Sequence, residues 1–290
     1  MTDSPTGSTH RQVSWLVGLL LFFGAAAFGP AHTAQAQSSL GRLYDRWQID
    51  LAGAVVIMGT TIRVDGSEGE GTDVNSDDLG LPSERLMPRV SVRWRPGHRH
   101  ELELGYQFVR RTGEKTLDRE IVFGDSTYDV GLATKSKFRE DQAFVIYRFA
   151  IQAKERTQLG VGVGLGALPF KYEIDALTGT GSESVTSSRV STYVAPTGSI
   201  GAYGRFVLDE RWYLETDLRG MAVKIDRTKA RIVEGNLAGR YFLSGKLALE
   251  LGYGISSIRL TVDPRESGRG FSGRVKYPLQ NVRAGVVLTP

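Results

Sequence analysis

From residue 101 the chain reads "ELELGYQF", with Leu102, Leu104, Tyr106 and Phe108 at every second position and Glu101, Glu103 and Gln107 between them. A side-chain period of two belongs to a β-strand with one apolar and one polar face. A soluble antiparallel sheet carries such a strand with one face on a core and the other in water. A membrane barrel carries it with one face in lipid and the other in a polar lumen. The same alternation appears in ten segments from Trp47 onward, near 47–62, 87–95, 101–111, 137–151, 157–173, 189–206, 212–225, 230–242, 246–262 and 272–288. No run follows the helical period.

The links between segments decide between the two readings. After the second, fourth, sixth and eighth segments stand tight turns, "PGHR", "AKER", "LDER" and "LSGK". After the first, third, fifth and ninth come longer polar stretches, near 63–86, 112–136, 174–188 and 263–271; only "DRTK", after the seventh, is short on that side. Short turns on one rim and long loops on the other are the habit of an outer-membrane barrel. Trp47, Trp94, Phe149, Phe206, Trp212 and Tyr241 all fall near the short-turn rim, where an aromatic girdle is expected. In the last segment the apolar parity changes near Pro278, which predicts a bulge at a residue that has no N–H to give a ladder.

Residues 1–36 read as a cleavable export signal: Arg11, the apolar stretch Trp15 to Phe28 and the small-x-small site Ala34-Gln35-Ala36. The barrel domain is then expected over 37–290, with no later stretch able to cross a bilayer as a helix. The chain has no Cys, so thiolate chemistry, Cys-ligated metals and disulfides are excluded. Its 36 basic and 32 acidic residues are dispersed, without the basic block of a nucleic-acid binder.

Strand parity puts Arg89, Arg93, Arg148, Arg219, Arg240 and Arg283 on the inward face with Asp50, Glu101, Glu103, Glu215, Asp217, Glu234 and Glu250. Near-equal numbers of buried cations and anions predict an interior network of ion pairs. Side chains can largely fill a barrel of about eight to ten strands, so an open porin is the less expected use of this lumen. In its pattern over 37–290 the chain resembles the small outer-membrane β-barrel proteins of Gram-negative bacteria. The loop stretches "SDDLGL" (76–81) and "LDREIVFGDSTYDVG" (117–131) resemble segments of an uncharacterised branch of them. The chain departs from their usual aromatic end in closing on "VVLTP".

The fold class expected is therefore all-β, a transmembrane antiparallel up-and-down barrel of ten strands, with eight or twelve as alternatives, in the cell outer membrane. The expected partners are outer-membrane lipid and lipopolysaccharide, and the expected state is a monomer. The only histidines after the leader, His98 and His100, lie at a tight turn of the periplasmic rim, away from the long loops. Glu215 and Asp217 read as ion-pair partners rather than as an acid and base. No enzyme activity and no cofactor is expected, and "GVGVGLG" (160–166) lacks the Lys-Ser/Thr ending of a phosphate loop. The expected role is structural or surface-interacting. A narrow channel for small or apolar solutes and a barrel hydrolase are the alternatives. The acidic first loop offers Asp73, Asn75, Asp77 and Glu84 at calcium-loop spacing, but Asp78 stands where that loop needs glycine.

Overall fold

The computed structural model describes residues 45–66, 69, 71–177, 185–263 and 272–290. The export signal expected at 1–36 and the loop carboxylates Glu68 and Glu70 lie outside the described residues. Among the described residues fourteen strands follow one another: β1 Trp47–Met58, β2 Thr61–Val64, β3 Val74–Asn75, β4 Glu84–Trp94, β5 His100–Thr116, β6 Ile121–Phe123, β7 Ser126–Tyr128, β8 Ala133–Ala153, β9 Thr157–Leu177, β10 Val185–Val207, β11 Trp212–Ile225, β12 Thr228–Phe242, β13 Leu247–Val262 and β14 Gly273–Leu288. Ten of them, β1-β4-β5-β8-β9-β10-β11-β12-β13-β14, form one antiparallel sheet that closes through β1 and β14. Closure leaves the lower ring without a sheet edge.

Around the short-turn rim Trp47 stacks on Trp94 at 6.1 Å, and Trp212 lies 5.1 Å from Tyr241. Above this girdle the outward positions are apolar and exposed, among them Leu51, Leu104, Val145, Val163 and Leu251. Such a surface is stable against hydrocarbon and costly against water.

Higher up, the polarity of the two faces inverts. Phe138, Phe170, Tyr172, Ile258, Leu260, Val275 and Tyr277 point inward and are buried, while Arg139, Arg231, Arg259 and Lys276 point outward. The inversion corrects the reading of Pro278. The β13–β14 register runs unbroken through Ser257 and Pro278, so there is no bulge. Parity is constant along β14, and it is the lumen that changes from polar to apolar. Pro278 instead faces the break between the end of β1 and the start of β2, where its carbonyl accepts the Gly59 N–H.

Two ladders stop early. The β4–β5 pairing ends at Arg89 and Gln107, and the β10–β11 pairing at Ile200 and Gly220. Above these seams β5, β8, β9 and β10 stay paired as one sheet and the remaining long strands as another. Their inward faces pack on each other, as Phe138 of β8 does on Tyr277 of β14 at 6.3 Å. The segment carrying Val74, Leu79 and Leu81 and the β6–β7 hairpin complete this upper core, with Phe123 5.6 Å from Tyr172.

Candidate functional site: the charged interior

Alternation along each strand delivers one or two charged side chains to the lower lumen. Arg93 comes from β4, Glu101 and Glu103 from β5, Arg148 from β8, Arg205 from β10, Glu215 from β11, Arg240 from β12 and Glu250 from β13, all buried. Arg148 holds Glu101 and Glu103, each at 2.7 Å. Arg205 reaches Glu101 at 2.6 Å and Glu215 at 3.4 Å. Arg240 joins Glu250 at 2.8 Å to Glu215 at 3.2 Å, and Arg93 lies 3.3 Å from Asp50 on β1. Every cation in this layer is an arginine, whose planar fork serves two carboxylates at once in a way that an ammonium cannot.

The arginines also need places for their flat faces. Arg205 lies 5.0 Å over the Tyr203 ring and Arg240 5.3 Å over Tyr213. Tyr203 in turn fits because its neighbour on β9 is Gly160, where a Cβ would stand 2.7 Å from that ring and 2.1 Å from the Phe149 carbonyl oxygen. This gives the glycines of β9 a steric reason.

A second tier lies just above. Arg89 pairs with Glu103 at 3.0 Å, Arg283 with Glu250 at 2.8 Å, and Arg219 with Asp217 and Glu234, both at 3.2 Å. These arginines line a cavity of about 80 Å³ together with Gln107, Gln142 and Asn236, and Ile232, Ile258 and Tyr277 border its apolar side. A polar cavity of this size holds a few waters.

All thirteen residues that parity turns inward share one compartment: Arg89, Arg93, Arg148, Arg219, Arg240 and Arg283 with Asp50, Glu101, Glu103, Glu215, Asp217, Glu234 and Glu250. Arg205 and Arg95, which parity reasoning missed, join them, Arg95 through Glu101 and the Gln48 amide oxygen. Arg95 continues the parity of Arg89 and Arg93 and was open to the same argument. Arg205 sits in the segment with the weakest alternation. The four loop residues at calcium spacing have other roles: Asp73 pairs with Arg274, the Asn75 side chain accepts from Thr61 at 2.8 Å, the Asp77 carbonyl accepts from Lys115 at 3.0 Å, and Glu84 is exposed at the start of β4. Among the described residues no three His, Asp or Glu side chains converge as metal ligands.

No family model and no curated protein matches this sequence. Among solved structures, the outer membrane protease OmpT from Escherichia coli superposes with a TM-score of 0.58 at 7% identity, covering 90% of this chain and 99% of that one. The fold is that of an outer-membrane β-barrel. The transport unit of the Escherichia coli autotransporter AIDA-I covers 94% of this chain and 97% of its own at a TM-score of 0.42 and 8% identity. The Pseudomonas putida toluene transporter TodX matches at 0.31 and 11% identity, covering 89% of this chain and 94% of its own. With a closed ring, an apolar belt and an aromatic girdle, this barrel is built as a protein of the cell outer membrane is.

Proposed function

We propose that this protein is a non-conducting, non-enzymatic barrel that anchors an ordered outer surface in the envelope, with the loops as its contact region. The observation that carries the reading is the Arg93–Glu215 bridge, at 2.8 Å, between strands on opposite sides of the ring. With the ion pairs around it, this contact fills the lower lumen, and an apolar core fills the upper. The outer segments are tied down as a binding surface needs: Arg119 holds Asp78 at 2.7 Å, Arg274 holds Asp73, and the Leu117 N–H donates to the Leu132 carbonyl. His100 is bound to Tyr147 at 2.7 Å beside the girdle, which suits a structural histidine better than a catalytic base. The test is single-channel recording of the folded full chain in planar bilayers. Silent membranes are expected, with conductance appearing in an Arg93→Ala/Glu215→Ala double variant. Discrete current steps from the unaltered protein would overturn the proposal in favour of a narrow channel.

A further inference from the structure

On the outward face of β12, β13 and β14, Arg231 stands directly opposite Arg259, and Arg259 directly opposite Lys276. Neighbouring strands lie about 4.8 Å apart, so three cations share roughly 10 Å of surface. Like charges placed directly opposite one another destabilise a sheet unless something else compensates. Among the described residues none of the three has a carboxylate partner. The row above differs, since there Lys229 pairs with Asp263 at 3.1 Å and Arg274 with Asp73. So does the comparable row on the other side of the barrel, Arg110, Arg139 and Lys171, where Arg110 has Asp141 at 2.7 Å and Lys171 has Glu173 at 3.3 Å.

The height of the unpaired row matters as much as its charge. Below Arg259 on the same outward face of β13 come Ser257 and then Ile255, Tyr253 and Leu251, the exposed apolar belt. The three cations therefore stand at the upper edge of the hydrocarbon, at the level of outer-leaflet headgroups. Beside them is a groove of about 430 Å³, opened by the break between β1 and β2. Arg259, Lys276, Thr61 and Asn75 border the groove, with Ile57 and Pro278 as its apolar part and Asp77 also in its lining. A paired polar and apolar lining suits a phosphorylated headgroup with an acyl chain below it.

We propose that Arg231, Arg259 and Lys276, with the groove beside them, bind the phosphates of a lipopolysaccharide molecule of the outer leaflet. The proposal rests on the barrel being embedded in the outer membrane. Arginine binds phosphate through two parallel N–H bonds, and a diphosphorylated sugar headgroup spans adjacent cations better than a single phosphate does.

The test uses the folded full chain in neutral detergent and measures binding of lipid A, phosphatidylglycerol and inorganic phosphate by native mass spectrometry. In R231Q/R259Q/K276Q, lipid A affinity is expected to fall on the order of a hundredfold, some fivefold per charge removed. The variant R110Q/R139Q/K171Q serves as control and is expected to keep most of that affinity. The single variants R259Q and K276Q give the same direction with smaller steps should the triple variant fold poorly. Unchanged lipid A affinity, an equal loss in the control, or phosphatidylglycerol binding as tightly as lipid A would each overturn the proposal. Gel mobility with and without boiling separates the two levels. A chain that never forms a compact, heat-shifted species counts against the barrel, whereas a compact barrel with unchanged lipid affinity counts against this site alone.

Discussion

Arg93 Nη1 lies 2.9 and 2.8 Å from the two carboxylate oxygens of Glu215, although β4 and β11 stand five places apart in a ring of ten strands. One ion pair thus crosses the whole lumen. It survives burial because Glu215 is shared with Arg205 and Arg240, and Arg93 with Asp50 and Glu103. Desolvating any one of these charges costs several kcal/mol, and only the complete set offsets it.

Removing one member should therefore cost far more than removing a surface ion pair. Glu215→Ala leaves three guanidinium groups short of a partner and is expected to lower stability by about 3 kcal/mol. Glu114→Ala removes the exposed Lys135 contact and should cost less than about 0.5 kcal/mol. Urea unfolding followed by tryptophan fluorescence reads both. Equal midpoints for the two variants would mean that water screens the interior charges well enough to make the network dispensable.

Beneath the arginines, Gly160 leaves room for the Tyr203 ring on which Arg205 rests. A Cβ on Gly160 would stand 2.1 Å from the backbone oxygen of Phe149, and that atom cannot swing away as a side-chain end can. Gly160→Val is expected to destabilise the barrel by about 1–3 kcal/mol, and more if β9 must shift. The check is the temperature at which the compact gel band is lost. No change would show that β9 can bow outward into lipid without penalty.

The parts of this architecture that were legible in the sequence share a cause. Along the belt, Leu102 and Leu104 face outward and Glu101 and Glu103 face the lumen, so parity and polarity coincide and one strand suffices to assign both faces. Above the belt they separate. Val275, Tyr277 and Leu279 keep the inward parity of Arg283 while being apolar, and reading polarity as direction turned a straight strand into a bulge at Pro278. Arg111 shows the same limit: it shares the inward parity of Glu101 and Glu103, yet it is buried in the apolar layer, over the Phe138 ring at 4.6 Å and donating to Thr60. A single strand carries no mark of the height at which the lumen changes character. The early ends of the β4–β5 and β10–β11 ladders were hidden for a related reason, because pairing depends on two strands at once.

Acid should loosen one outer segment before the barrel itself. The Asp78 carboxylate accepts from the Asn75 N–H at 2.9 Å and from Arg119 at 2.7 Å. Partial burial opposes its ionisation, but the Asn75 N–H and the Arg119 guanidinium outweigh that and hold its pKa below the ordinary carboxylate value. A folded-state pKa below the unfolded one gives stabilisation that is present above the unfolded value and lost as pH falls through the folded one. Hydrogen exchange at the Asn75 amide, corrected for its intrinsic pH dependence, should stay slow at neutral pH and rise once pH drops below the usual carboxylate range. In Asp78→Asn the amide should exchange faster at neutral pH and lose that acid step. An acid step that persists in the variant would assign the loosening to another carboxylate.

The height of the hydrocarbon belt can be read with a single charge moved along the outside of the barrel. Leu251 lies on β13 in the middle of the exposed apolar surface, and Leu243 is equally outward-facing but belongs to a turn on the short-turn rim. Arginine at the midplane of a membrane barrel costs about 2–4 kcal/mol and near an interface about 0–1 kcal/mol. Leu251→Arg should therefore lower the unfolding free energy in lipid vesicles by the larger amount and Leu243→Arg by the smaller. Were the outside of the barrel surrounded by water, neither position would touch hydrocarbon, and both substitutions would be mild. Measuring the pair in vesicles thus tests the membrane reading and fixes where the belt lies, with equal, small effects counting against it.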